Sequence, residues 1–190
     1  MNSVALFVEK YNKATASVKS CFAEAYAFYT SGGDATQENP GEEWREGANL
    51  RYGNNSVVGN LSEIIALQYI ANFYKDWQFI TESDLQQQGV DIRVKKENWK
   101  DYINISVKTA AIKDRKVSVK SEVAVDLCSQ GTITRVILVD PFRHALVMVD
   151  RELLSKAIIS ESTKEGERVA VSFDSLKLFV KGTKSILARF

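Results

Sequence analysis

The sequence predicts an α/β fold of the α+β type, with a central mixed sheet flanked by helices. Residues 4–29 carry apolar side chains at helical spacing without Gly or Pro. Val90–Val94 and Ile103–Lys108 alternate apolar and polar residues, which is typical of half-buried strands. Two apolar runs, Thr134–Val139 and Ala145–Val149, are separated by a short turn. Strands flanked by helical segments favour a layered domain of sheet and helices.

The first half of the chain adds a long loop and a buried helix to this pattern. Residues 34–58 are polar and contain Pro40 and several glycines, which predicts a loop. Asn60 is expected to open a helix from Leu61 to about Trp77 that is apolar on most sides and therefore buried. Gln78–Ile80 fits an edge strand.

The second half contains one ambiguous stretch. Residues 117–128 fit either a strand or a helix. Asp150 is expected to begin a helix, and Val169, Val171 and Phe173 alternate as in a further strand before a basic tail.

Length and composition predict one domain. The chain has 190 residues, 45% of them apolar and 26% charged. We divide it into a helical N-terminal region with the loop (1–58), a core (59–150) and a C-terminal helix and strand (151–190). No apolar run approaches the roughly 20 residues that a membrane span needs, and the N-terminus lacks a secretory signal. We therefore expect a cytoplasmic protein without a membrane partner.

The metal-ligand inventory limits the chemistry. The two cysteines supply neither a disulfide framework nor a thiolate metal site. The single histidine, His144, lies in the turn after Asp140 and has no second histidine with which to form a zinc site or to support a nucleophilic triad. Hydrolytic chemistry in this chain therefore rests on carboxylates, lysine and a hard metal ion.

The charges are distributed unevenly along the chain. The net charge is +1, but residues 91–120 hold nine Lys or Arg against four Asp or Glu, an excess of five. A basic segment in a nearly neutral chain favours contact with a polyanion on one face. The alternative is a solvated, charged hairpin.

The two alternating segments predict a hairpin that carries chemistry. Its turn spans Lys95–Tyr102 with a midpoint near Trp99, so Asp91 and Lys108 are equidistant from the turn. Opposed residues of an antiparallel pair have Cβ atoms about 5 Å apart, which predicts that Asp91 lies beside Lys108. Ser106 shares the polar face of its strand with Lys108. A simple cross-strand ion pair is the alternative.

These residues resemble the PD-(D/E)xK nuclease superfamily, the restriction endonuclease-like proteins. The matching segments are Glu63 in a buried helix, Gly89–Val94 and Ile103–Lys108, in the family's order and within residues 60–150. The resemblance implies a restriction-endonuclease-like core and Mg²⁺, for which Mn²⁺ substitutes. It also implies metal binding by Asp91 and Glu63 and catalysis by Asp91, Lys108, Ser106 and Glu63.

One position departs from the family's pattern, because Ser106 stands where an acid or Gln is usual. The resemblance extends to a Ser-x-Lys variant that takes its acid from a downstream helix, and Glu122 lies fourteen residues after Lys108 as the displaced metal ligand. Two competing interpretations stay open. Asn60–Glu63 also fits a helix capping box, and Ser-Val-Lys occurs twice more, at 17–19 and 118–120.

The resemblance favours a type II restriction endonuclease that cuts double-stranded DNA as a homodimer, because a two-fold site mirrors a two-fold protein. Asn and Arg are the usual readers of adenine and guanine. The expected DNA contacts are Arg45, Arg51, Asn54 and Asn55 in the loop and Arg93, Lys95, Lys96, Lys113, Arg115 and Lys116 in the basic segment. The alternatives are a structure-specific nuclease, such as a junction resolvase or phage repair nuclease, and a non-catalytic DNA-binding module.

Overall fold

A computed structural model describes residues 12, 13, 16, 55–80, 89–141, 143, 145–161, 163–165, 168–178 and 186–189. The predicted helix over 4–29 lies outside these residues except for Asn12, Lys13 and Ala16, which are helical. Most of the predicted loop over 34–58 also lies outside them, as does His144.

In chain order the described elements are α1 (Asn55–Phe73), β1 (Trp77–Phe79), β2 (Ile92–Lys96), β3 (Ile103–Thr109), β4 (Ala111–Lys113), β5 (Lys116–Lys120), α2 (Ser121–Ser129), β6 (Arg135–Asp140), β7 (Ala145–Asp150), α3 (Arg151–Glu161), β8 (Thr163–Glu165), β9 (Arg168–Ser172), α4 (Phe173–Leu178) and β10 (Ile186–Arg189). The predicted α+β class with a mixed sheet and flanking helices is confirmed.

Ten described strands form two sheets. The larger sheet has six strands in the order β1-β2-β3-β6-β7-β10, and the smaller has four in the order β4-β5-β9-β8. In the larger sheet β3 runs parallel to β6, and every other neighbouring pair is antiparallel. Strands after residue 151 complete both sheets, since β9 pairs with β5 and β10 with β7.

The larger sheet is covered on both faces. On one face Ile105 and Val107 pack with α1 residues such as Leu61 and Ile65. On the other face strand residues such as Val136 pack with α2, α3 and the smaller sheet. The expectation of half-buried strands is confirmed for β2, where buried and partly exposed residues alternate, and is wrong for Ile105–Val107 of β3, which are all buried.

Helix α1 begins earlier than expected and ends earlier. It spans Asn55–Phe73, so Asn55 lies in the helix and Trp77 in β1. Ser62 and Glu63 consequently lie well inside the helix, and the Ser62 hydroxyl donates a hydrogen bond to the Val58 carbonyl at 2.9 Å. The capping-box interpretation of Asn60–Glu63 is wrong, because a capping box requires a helix start.

The ambiguous stretch over 117–128 contains both a strand and a helix. It includes most of β5, which continues directly into α2 at Ser121. Asp114 and Arg115 join β4 to β5 with positive φ angles of 51° and 59°, as expected for a tight two-residue hairpin turn. The predicted helix start at Asp150 is confirmed, since its carboxylate accepts the backbone N–H of Glu152 at 2.9 Å.

In the part of the chain that the structure describes, each helix is too short or too polar to cross a bilayer.

Candidate active site

The register of the β2–β3 hairpin places Asp91 opposite Ser106 and not opposite Lys108. Ile92 pairs with Ile105, and the Asp91 backbone N–H donates to the Ile105 carbonyl at 3.0 Å. One further step of this register brings Asp91 to Ser106. The predicted pairing of Asp91 with Lys108 is therefore wrong by two residues.

The Asp91 carboxylate lies at the point where β2 stops pairing with β3. Its Oδ2 accepts the Val107 backbone N–H at 2.7 Å and the Ser106 hydroxyl at 3.2 Å. The carboxylate thus takes the place of a strand carbonyl and satisfies an N–H inside the sheet. Oδ1 of Asp91 accepts no hydrogen bond from the described residues.

The electrostatics of Asp91 show which groups lie around it. Burial is the main cause that raises the pKa of this carboxyl above its ordinary value, and the carboxylate of Glu63 raises it further. The Val107 hydrogen bond, the Lys108 ammonium and the Ser106 hydroxyl oppose this rise. Two carboxylates and a lysine therefore influence one another at the end of β3.

Ser106 is completely buried, with 0% of its surface exposed. Its hydroxyl holds Asp91 in place rather than facing an open site. A larger acidic side chain at this position would require charge in a dry, closely packed part of the sheet.

The Lys108 side chain is 23% exposed and its ammonium lies 3.8 Å from the Asp126 carboxylate of α2. This distance is long for an ion pair. Lys108 lies two residues after Ser106 in β3. Asp126 was not among the residues predicted from the sequence.

A cleft of about 410 Å³ opens beside Lys108 and lies between α1, β3 and α2. Glu63 lines it from α1 and Glu122 from the first turn of α2. An acidic residue is stabilised at that helix end by the backbone dipoles. Glu63, Lys108 and Glu122, predicted from distant parts of the sequence, therefore share one cleft.

No group of three His, Cys, Asp or Glu side chains among the described residues is close enough to form a ready-made metal cage. Glu122 is 77% exposed and lies 3.8 Å from Lys120. Asp91 and Glu63 are consequently the carboxylates with the strongest case for a shared cation.

The basic residues of β2 are directed to other contacts. Arg93 donates to the Asn104 side chain at 2.9 Å and lies 5.6 Å from the Tyr102 ring centre. Lys95 lies 5.2 Å from the same ring, and Lys96 pairs with Asp76 at 2.6 Å. Lys95 and Lys96 lie toward the hairpin turn, away from the end of the strand at Asp91.

The second basic group lies at the exposed turn between β4 and β5. Lys113 and Lys116 flank this turn, and Arg115 pairs with Asp174 at 2.6 Å. The expected base readers Arg45, Arg51 and Asn54 lie outside the described residues, whereas Asn55 is the first residue of α1.

Three further cationic residues line the cleft and were not predicted from the sequence: Lys120, Arg143 and Arg168. Of these three, only Arg143 had a signal in the sequence, because it lies in the predicted turn after Asp140. In the structure the Asp140 carboxylate accepts hydrogen bonds from the Arg143 side chain at 3.0 Å and from the Ile112 backbone N–H at 2.8 Å. Asp140 is 1% exposed, so this pair fastens the turn to β4.

No known protein family, curated protein or solved structure matches this chain.

Proposed function

We propose that this protein is a Mg²⁺-dependent endodeoxyribonuclease that hydrolyses phosphodiester bonds at the cleft between α1 and β3. One observation carries the proposal. The half-buried Asp91 carboxylate is influenced by both Glu63 and Lys108, and the latter two line a single cleft. Asp91 itself does not line the cleft, but two interacting acids and an amine beside such a cleft match the needs of phosphoryl chemistry.

The carboxylates fit a hard cation. Burial and the neighbouring Glu63 both disfavour the charged form of Asp91, and a divalent cation relieves both effects. Mg²⁺ is commonly held by one or two carboxylates plus waters and phosphate oxygens, so a third protein acid is not required. When bound, the cation lowers the pKa of an attacking water and polarises the phosphate; Mn²⁺ has a similar ligand preference.

Each residue has a distinct part. Asp91 and Glu63 would hold the cation, while Glu122 lines the cleft from α2 beside Lys120. Ser106 and the Val107 N–H fix the orientation of Asp91 by binding Oδ2. Lys108 donates to the attacking water and stabilises charge on the phosphate, after leaving its 3.8 Å contact with Asp126.

The finer proposal is a type II restriction endonuclease that acts on double-stranded DNA as a homodimer. Its support is the order of elements, a helix with Glu63, a strand led by Asp91 and a strand with Lys108. This order is the one in which the sequence resembles the PD-(D/E)xK superfamily.

A non-catalytic DNA-binding module is the second candidate. The observation in its favour is that Ser106 replaces an acid while Lys108 lies within 3.8 Å of Asp126. Such a protein binds DNA through its basic residues and leaves it intact.

The test compares wild-type protein with Lys108→Ala on plasmid and on a four-way junction, each with Mg²⁺ and with chelator. Discrete plasmid fragments that require Mg²⁺ and Lys108 support the restriction enzyme. Cutting of the junction alone identifies a structure-specific nuclease. Binding without cleavage by the wild type supports the second candidate and contradicts the nuclease proposal.

A further inference from the structure

We propose that Lys120, Arg143 and Arg168 form a phosphate-binding wall of the cleft, which takes a DNA backbone phosphate next to the one that is cleaved. The proposal rests on the proposed function for the identity of the polyanion. The wall residues come from three places in the fold: the end of β5, the turn after β6 and the start of β9.

Two like charges of the wall lie opposite each other on neighbouring strands. Lys120 and Arg168 are direct partners in the antiparallel β5–β9 pair, and both line the cleft. Like charges directly opposite each other on neighbouring strands destabilise a sheet. Lys120 has Glu122 as an acidic neighbour at 3.8 Å, and a phosphate bound between Lys120 and Arg168 adds a contact to both cations. On its other side Arg168 is in register with Glu165 of β8.

Both guanidinium groups of the wall are held in fixed positions. Arg168 donates from Nε to the Ser118 hydroxyl at 3.0 Å and from a terminal nitrogen to the Ser118 carbonyl at 2.8 Å. Arg143 is anchored by Asp140 at 3.0 Å, and its side chain is 14% exposed. A pre-positioned guanidinium loses less conformational entropy when it binds a phosphate.

The wall lies in the same cleft as the proposed catalytic lysine. The wall and Lys108 line the same cavity of about 410 Å³. A DNA strand that lies along this cavity with one phosphate at Lys108 would place a neighbouring phosphate at the wall. Arginine and lysine are the usual phosphate ligands in protein–DNA complexes.

The test measures binding of a short fluorescent duplex by anisotropy in chelator, over a series of salt concentrations. Arg168→Gln and Lys120→Ala are each expected to weaken binding roughly tenfold. Each change also makes the slope of log Kd against log salt less steep by about one, because one phosphate contact is lost. Lys120→Ala keeps the test valid if Arg168→Gln does not fold, since this lysine is 52% exposed.

Lys156→Ala is the matched control. Lys156 is 55% exposed and pairs with a glutamate on α3, as Lys120 pairs with Glu122, so the two variants lose the same charge from similar surroundings. Unchanged affinity and salt slope in both wall variants overturn the proposal. Binding of inorganic phosphate that depends on Arg168, without an effect on the duplex, overturns DNA as the source of the phosphate.

The outcomes separate the wall from the nuclease. If the wild type binds DNA through the wall but never cleaves it with Mg²⁺, the wall stands and the proposed function fails. If the wild type cleaves DNA and the wall variants bind normally, the proposed function stands and the wall fails.

Discussion

The tripeptide Ser-Val-Lys occurs in two described strands, as Ser106–Lys108 in β3 and as Ser118–Lys120 in β5. The first copy lies in the middle of the six-stranded sheet and the second in the four-stranded sheet. Ser106 is fully buried, whereas Ser118 is half-buried. The same three residues thus meet two different environments.

Their neighbours differ in charge as well as in burial. Beside Ser106 lies the Asp91 carboxylate, 3.2 Å from the hydroxyl. Beside Ser118 lies the Arg168 guanidinium, 3.0 Å from the hydroxyl. The hydroxyl of β3 therefore positions an acid, and the hydroxyl of β5 positions a cation.

The two lysines line the same cleft, but their surroundings differ. Lys108 is 23% exposed and lies near acids of α1 and α2, whereas Lys120 is 52% exposed and lies opposite Arg168. A short motif acquires its chemistry from what the fold places across from it. We therefore propose catalysis for the first copy and binding of a substrate phosphate for the second.

The largest effect is expected from the acid beside the first copy. Asp91→Asn keeps an acceptor for the Val107 N–H but loses the charge that we propose holds the cation, so we expect Mg²⁺-dependent cleavage to fall by about 10³-fold. Rates of plasmid nicking measure it, and circular dichroism shows whether the variant is folded. A folded variant with wild-type cleavage would falsify the role of Asp91.

A glutamate placed in each copy compares their burial. Ser106→Glu puts a charge into a closed site next to Asp91, and we expect a loss of about 3 kcal/mol or more in the free energy of unfolding. Ser118→Glu puts the same charge beside Arg168 on a half-buried strand, with an expected change of about 0.5 kcal/mol or less. Chemical denaturation measures both, and equal losses contradict the proposed difference in environment.

The two lysines are expected to affect different kinetic constants. Lys108→Ala removes stabilisation of the reacting phosphate and lowers kcat by about 10²-fold. Lys120→Ala removes a substrate contact and acts mainly by raising KM. Steady-state cleavage at several DNA concentrations distinguishes these results, and an inverted pattern assigns the reaction to the second copy.

The smallest effect concerns stability and pH. Burial raises the pKa of Asp91 in the folded protein. The fold therefore favours the protonated carboxyl, whose contribution is complete at low pH and is lost as the pH rises through the raised pKa. We expect Asp91→Asn to be more stable than the wild type at neutral pH, with a difference that shrinks on acidification. Melting temperatures across pH measure it, and a difference that grows on acidification contradicts this account.

The parts of the site that follow a local period were predictable, and the parts that depend on distant pairing were not. Alternation in Val90–Val94 and Ile103–Lys108 predicted the hairpin correctly. The register was wrong by two residues because the turn, in which the Trp99 N–H donates to the Lys96 carbonyl, has no distinctive sequence. The prediction for Glu122 depended on whether residues 117–128 form a helix. The sequence left this open because β5 passes into α2 without a Gly or Pro to mark the boundary.

The proposed phosphate-binding wall could not be predicted from the sequence. Lys120 and Arg168 are far apart in the sequence and meet only through the β5–β9 pairing. Short strands such as β4 and β8 carry too few residues for a clear period. The second sheet, and the cations that it brings to the cleft, therefore depend on contacts that a single sequence does not reveal.

Calorimetric binding of Mn²⁺ to the wild type and to Asp91→Asn tests directly whether the cation binds at Asp91. We expect one Mn²⁺ per wild-type chain and binding at least about tenfold weaker in the variant, because a charged ligand is lost. Equal Mn²⁺ affinity in the two folded proteins would show that the cation does not bind at Asp91, and the proposed active site would be wrong.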